Sequence, residues 1–214
     1  MKNSIKLLTE TLIIILIPTL IFSQDNNLGL RAGVNLSKYK SSINSVSSKE
    51  KIGFYAGMFY LIDINNSIKF QPELLFSLQR STIDTLVEIT DSQGNLLPNS
   101  QPYDFEYDVN EFIISIPLIF KIYPVDKFYL ESGPILGLII DKSFTSDNVL
   151  LDGTFPESID ENFNSTFDFG IGLGLGYEIS PHSNLNFRSN IGITERDDNS
   201  KSLVHNLGLE YKFN

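Results

Sequence analysis

A chain of 214 residues that is 42% hydrophobic and 12% aromatic is too apolar to be a disordered segment and long enough for one sizeable domain. The absence of cysteine excludes disulfide scaffolds, thiolate metal sites, cysteine nucleophiles and lipoprotein acylation together. A net charge of −10, with no clustered run of Lys and Arg, excludes nucleic acid as a partner, because phosphate contacts need concentrated positive charge.

The first stretch, "MKNSIKLLTETLIIILIPTLIFSQ", carries Lys2 and Lys6, then an apolar run from Leu12 to Phe22, then the small residue Ser23. That order predicts a secretory signal peptide over residues 1–23, cleaved near Ser23. The run is shorter than the roughly 20 residues a spanning helix needs. The mature domain is then 24–214, beyond the cytoplasm.

From Leu28 onward the apolar residues recur with period two, the spacing of strands whose successive side chains point to opposite faces. The first predicted strand runs from Leu28 to Leu36, with Leu30, Ala32 and Val34 opposite Gly29, Arg31, Gly33 and Asn35. The second, Ile52 to Ile62, is apolar on both faces. The third, Ser67 to Gln79, sets Phe70, Leu74, Phe76 and Leu78 against Lys69, Gln71, Glu73 and Ser77. The fourth, Glu111 to Ile122, sets Phe112, Ile114, Leu118 and Phe120 against Glu111, Ser115 and Lys121. The fifth, Lys127 to Ile140, sets Phe128, Leu130, Leu136 and Leu138 against Glu131, Gly133 and Gly137. The sixth contains "FDFGIGLGLGYEIS", with glycine at 170, 172, 174 and 176. The seventh, Asn184 to Thr194, sets Leu185, Phe187 and Ile191 against Asn186, Arg188 and Asn190. In the last, Leu207, Leu209, Tyr211 and Phe213 alternate with Gly208, Glu210 and Lys212.

The alternating glycines do not fit a dinucleotide fingerprint, whose third glycine would fall at Leu175. The connections alternate in length instead. Ser37 to Lys51, Arg80 to Asn110, Asp141 to Asn164 and Glu195 to Lys201 are long; "DINNS", "YPVD" and "ISPHS" are short and rich in turn formers. Short turns at one end and long loops at the other predict an all-β, eight-stranded antiparallel up-and-down transmembrane barrel, with periplasmic turns and extracellular loops. A sheet crosses lipid only as a closed barrel, because no backbone group can be left unpaired there.

In such a barrel the apolar faces meet lipid, and Tyr60, Tyr123, Phe128, Tyr129, Tyr177, Tyr211 and Phe213 suit interfacial girdles. The inward residues Arg31, Lys69, Glu73, Lys121, Glu131, Arg188, Glu210 and Lys212 are expected to pair in a filled interior, with the glycines leaving them room. The inverse arrangement is a soluble periplasmic lipocalin-like barrel holding an apolar ligand. Alternation alone does not separate the two; the large aliphatic and aromatic residues of one face and the mixed charges and glycines of the other favour lipid.

"LGLRAGVNLS", "FQPELLFS", "IPLIFKIYP", "FYLESGPILGLII", "FGIGLGLGYEIS" and the terminal "NLGLEYKF" resemble the PorT-like outer-membrane β-barrel family of Bacteroidota across nearly all of the mature chain. The resemblance implies a barrel in the outer membrane. Some relatives serve protein secretion or gliding, so an envelope or secretion-system protein is among the partners it implies, beside the lipid itself.

The residues offer little for catalysis, and a non-enzymatic protein without cofactor or metal is expected. A hydrolase would need a base such as His205, with Ser202 near it, but parity places His205 on the outward face; His182 reads as a turn residue. The loops are acidic, with Asp84, Glu88, Asp91, Asp104, Glu106 and Asp108 in the second and Asp147, Asp152, Glu157, Asp160 and Glu161 in the third. None has the spacing of a dedicated calcium loop. "YDFEYD", namely Tyr103, Asp104, Phe105, Glu106, Tyr107 and Asp108, interleaves aromatics with acids and is the candidate contact for a partner, or a strand continued beyond the membrane.

Overall fold

The computed structural model describes residues 27–41, 46–87, 103–146, 166–195 and 200–213. The proposed signal peptide and the acids at 88, 91, 147, 152, 157, 160 and 161 lie outside them. The described chain is all β: β1 (Leu28–Ser41), β2 (Val46–Tyr60), β3 (Ile62–Asn65), β4 (Ile68–Val87), β5 (Tyr103–Val125), β6 (Phe128–Thr145), β7 (Thr166–Glu178), β8 (Ser183–Gly192) and β9 (Ser200–Lys212). Each strand pairs antiparallel with its neighbours, β9 returns to β1, and β2 closes the ring onto β4. The four-residue β3 continues the wall begun by β2 and pairs with the same β4, so the ring has eight walls, as predicted. At the β5–β6 turn Lys127 takes a left-handed φ of 65°.

The apolar face looks outward. Val34, Phe54, Phe76, Phe120, Leu136, Leu173 and Leu209 are all exposed, whereas Arg31, Glu73, Lys121, Glu131, Arg188 and Glu210 are buried. This is the reverse of a soluble barrel, whose interior would be the apolar side, and it rules against the lipocalin-like arrangement. On β5 the apolar outward positions run from Phe112 to Ile122. The ten steps between them, at roughly 3.4 Å each, cover about 34 Å of chain. At the ~45° tilt of membrane strands that is about 24 Å of height, matching the ~25 Å apolar band of such barrels. Tyr177 and Tyr211 are exposed at its lower edge, but Tyr129 is fully buried and belongs to the interior rather than to the girdle.

The predicted loop from Arg80 to Asn110 is corrected by the structure: β4 continues to Val87 and β5 begins at Tyr103, in one unbroken register from Ile68↔Ile122 to Val87↔Tyr103. The same alternation persists there with its polarity reversed. Outward positions become polar at Arg80 and Asn110, whose side chains bond at 2.8 Å, and continue through Thr82 and Asp108 at 2.6 Å. Inward positions become apolar, with Tyr39, Ile83 and Val109 buried together and Val46, Tyr107 and Phe144 packed on them. Above the band the strands meet water outside and pack on each other inside, as a soluble sheet does.

The acids of this extension are largely matched by the chain itself. Lys49 Nζ lies 3.1 Å from both Asp84 Oδ2 and Glu106 Oε2, and Lys51 pairs with Asp108. The Lys49 hydrogen bond holds the Asp84 carboxyl below its ordinary value. Partial burial raises that of Asp108, but bonds from Lys51 and Thr82 outweigh it and leave it lowered.

Candidate functional site in the barrel interior

At one level of the lumen six strands contribute a charged side chain each, Arg31 from β1, Glu73 from β4, Lys121 from β5, Glu131 from β6, Arg188 from β8 and Glu210 from β9, while nearer the extracellular end Glu111 of β5 is buried as well and pairs with Lys142 of β6 at 3.4 Å. The six at the first level are at most 3% exposed. Three positive and three negative charges cancel, as burial demands, since an unpaired ion in the interior is costly.

Arg188 is the hub. Its Nε donates to Glu131 Oε1 at 2.6 Å and its Nη2 to Glu131 Oε2 at 3.1 Å, while Nη1 and Nη2 donate to Glu73 at 3.0 and 2.7 Å. Arg31 Nη1 bridges Glu73 at 3.0 Å and Glu210 at 3.2 Å. Lys121 Nζ donates to Glu210 Oε2 at 2.6 Å and lies 4.3 Å from the centre of the Tyr129 ring. Guanidinium forks suit this arrangement because each can serve two carboxylates in one plane.

Neutral residues complete the network. Gln71 Nε2 donates to Glu73 and Glu210, and Asn186 accepts from Arg31 and donates to Glu131. Sequence reasoning placed Gln71 and Asn186 on the polar face without giving them a role and assigned Tyr129 to the girdle, whereas all three are buried at the level of the charges. β7 contributes space instead. A Cβ on Gly174 would stand 2.8 Å from Glu131 Oε1 and 2.4 Å from the Phe187 carbonyl, and one on Gly176 would stand 2.2 Å from the Tyr129 ring. Gly176→Ala is therefore expected to destabilise the barrel by about 1–3 kcal/mol through overpacking, and Gly172→Ala, whose nearest contacts are side-chain carbons at 3.1 and 3.2 Å, by less; urea unfolding of the two variants in vesicles checks the order.

Above the network lies a cavity of about 40 Å³ lined in part by Gln79, Ser115, Asp168, Asn190 and Ser202. At roughly 10–15 Å³ per water it has room for a few waters.

The structure brings together six of the eight predicted interior residues. Lys69 shares their face but sits at the periplasmic rim, 3.6 Å from Asp63 and over the Tyr123 ring. Lys212 is half-buried at the same end. Both share the inward parity and still lie in the ladder, Lys69 opposite Lys121 and Asp63 and Lys212 opposite Gly29, but at the end of the barrel, where they remain partly exposed. Tyr103, Asp104, Phe105, Glu106, Tyr107 and Asp108 lie on β5 above the band, the continued strand that the sequence offered as one of two readings.

His205 faces outward. Its Nδ1 is 2.8 Å from Ser189 Oγ and its ring stacks on Phe187. Ser202 is on the opposite, inward face and donates to Asp168 at 3.1 Å, so it is not the partner of His205. The strand positions facing Ser189 and His205 from their other neighbours are Leu173 and Leu36, which leaves the pair without an orienting carboxylate there. Among the described residues no group of three or more His, Asp or Glu side chains could hold a metal ion.

Over residues 22–197 the sequence matches the family model described as an outer membrane protein beta-barrel domain. Among solved structures the fold is similar to the crystal structure of Neisserial surface protein A, with a TM-score of 0.50 and 15% identity, covering 87% of this chain and 97% of that one. It is also similar to Ail, the attachment invasion locus protein of Yersinia pestis, with a TM-score of 0.43 and 16% identity, covering 87% and 98%. At these identities the likeness is one of fold. No curated protein matches the sequence.

Proposed function

The chain belongs to the outer membrane protein β-barrel domain family, and from that premise we propose that it is a non-enzymatic, non-conducting barrel whose role is performed at its extracellular end. The observation that carries this reading is the six-charge network, which crosses the lumen from six strands. A closed, cross-linked interior serves a rigid support, not a conduit. What it supports is the extension of β4 and β5, where Asp104, Glu106 and Asp108 occupy outward positions and Tyr107 packs inward. The outward acids Asp104, Glu106 and Asp108 are then the surface offered to an envelope or secretion-system protein.

The finer kinship with PorT-like barrels of Bacteroidota, and the removal of residues 1–23 on export, belong to the same proposal. They rest on the stretches quoted above and on the charge order of the first 23 residues. The intact mass of protein taken from the envelope should correspond to a chain starting at Gln24; a mass that includes Met1 would reject the cleavage. In planar bilayers the refolded protein is expected to show no sustained conductance steps. Stable steps at moderate voltage would overturn the closed-lumen reading.

A further inference from the structure

Charge on the outer surface at the extracellular edge of the apolar band is handled differently on the two halves of the barrel. On β2, β4 and β5 the lysines are answered by the chain: Lys49 by Asp84 and Glu106, Lys51 by Asp108. On β1 the last apolar outward residue is Leu36, and the next two outward positions are Lys38 and Lys40. On β9, Lys201 stands directly opposite Lys40, and Leu203 opposite Lys38. Lys40 and Lys201 are exposed and Lys38 half-buried. Among the described residues none of the three has an ion-pair partner.

Directly opposed residues of an antiparallel pair hold their Cβ atoms roughly 4.5–5.5 Å apart, and like charges there are destabilising. Three cations gathered by register on one face, with no ion-pair partner among the described residues, suit an anion supplied from outside the chain. Its position follows from the pattern below it. Leu36, Val34, Leu203 and Leu207 continue the same surface downward as apolar band, so the lysines lie at the level of lipid headgroups. We infer that Lys38, Lys40 and Lys201 form a site for the phosphate of an outer-leaflet lipid, whose acyl chains lie along β1 and β9. Lysine ammonium groups suit this ligand, being mobile point charges that adapt to a tetrahedral anion without a fixed fork. The inference rests on the barrel lying in the membrane as proposed above.

The test uses the full mature chain refolded in a neutral detergent, with phosphatidic acid as the probe and retention read by native mass spectrometry. The heat-dependent gel mobility of every sample reports barrel formation separately, so a failed barrel and a failed site give different results. At roughly fivefold per basic residue, the Lys38→Gln/Lys40→Gln/Lys201→Gln variant should retain the lipid about a hundredfold more weakly than the wild type. A Lys127→Gln/Lys212→Gln variant, altered at the periplasmic end, should match the wild type. Without lipid the triple variant should be at least as stable as the wild type, because it relieves repulsion. Equal retention by wild type and triple variant, or an equal loss in the periplasmic variant, overturns the site. Inorganic phosphate that displaces the lipid at an equal concentration overturns its assignment to a lipid.

Discussion

Arg188→Ala is expected to destabilise the folded barrel by about 3–5 kcal/mol, the usual consequence of removing one partner from a buried ion pair. The size follows from what the guanidinium leaves behind. Glu73 keeps Arg31 at 3.0 Å and Gln71 at 2.8 Å, but Glu131 keeps only the Asn186 amide at 3.0 Å and an Arg31 nitrogen at a distant 3.9 Å. Most of the cost therefore falls on Glu131, a carboxylate stranded in the lumen. Neutralising it should recover a large part: Glu131→Gln/Arg188→Ala is expected to be clearly more stable than Arg188→Ala alone. Urea unfolding of the single and double variants from vesicles, followed by gel mobility, measures both. A loss below about 1 kcal/mol for Arg188→Ala would mean that water reaches the lumen freely and that the network does not close it.

The membrane half of the molecule was legible in the sequence because lipid imposes one rule on every strand. Apolar out and polar in gave the strands, and the inward parity of Arg31, Glu73, Lys121, Glu131, Arg188 and Glu210 placed them on one lumen wall before any contact was known. Parity says nothing of height along the strand, and so it also drew in Lys69 and Lys212, which lie at the rim. Nor does it rank neutral residues: Gln71 and Asn186 fell on the polar face without a role, and Tyr129 was assigned to the girdle, although the glycines opposite Tyr129 and Glu131 marked the space those side chains fill. Most of the extension was assigned to a loop, with a continued strand offered only for Tyr103 to Asp108, and the reason is physical. Above Arg80 and below Asn110 in number, the alternation of Ile83, Tyr107 and Val109 continues, but water replaces lipid outside and the polarity reverses, so a pattern sought with apolar residues outward dissolves there. The lysine cluster was invisible for another reason: Lys201 is far from Lys38 and Lys40 in sequence and meets them only through the β1–β9 register that closes the ring.

Leu173→Arg is the substitution that asks what surrounds the barrel. Leu173 is central in β7, 50% exposed, and faces Ser132 and Ser189 across its two neighbours. Leu86 on β4 is exposed to a similar degree, 53%, but stands above the level at which Arg80 and Asn110 turn the outer face polar. Burial within the protein does not distinguish these two leucines; only the medium does. In a bilayer, arginine near the midplane costs about 2–4 kcal/mol, whereas Leu86→Arg, in water, should stay within about 0.5 kcal/mol. Folding titrations of the two variants into vesicles give the comparison directly. Equal effects at the two positions would remove the distinction between band and extension, and with it the headgroup level at which Lys38, Lys40 and Lys201 are placed. A large difference fixes that level from the stability of the protein itself.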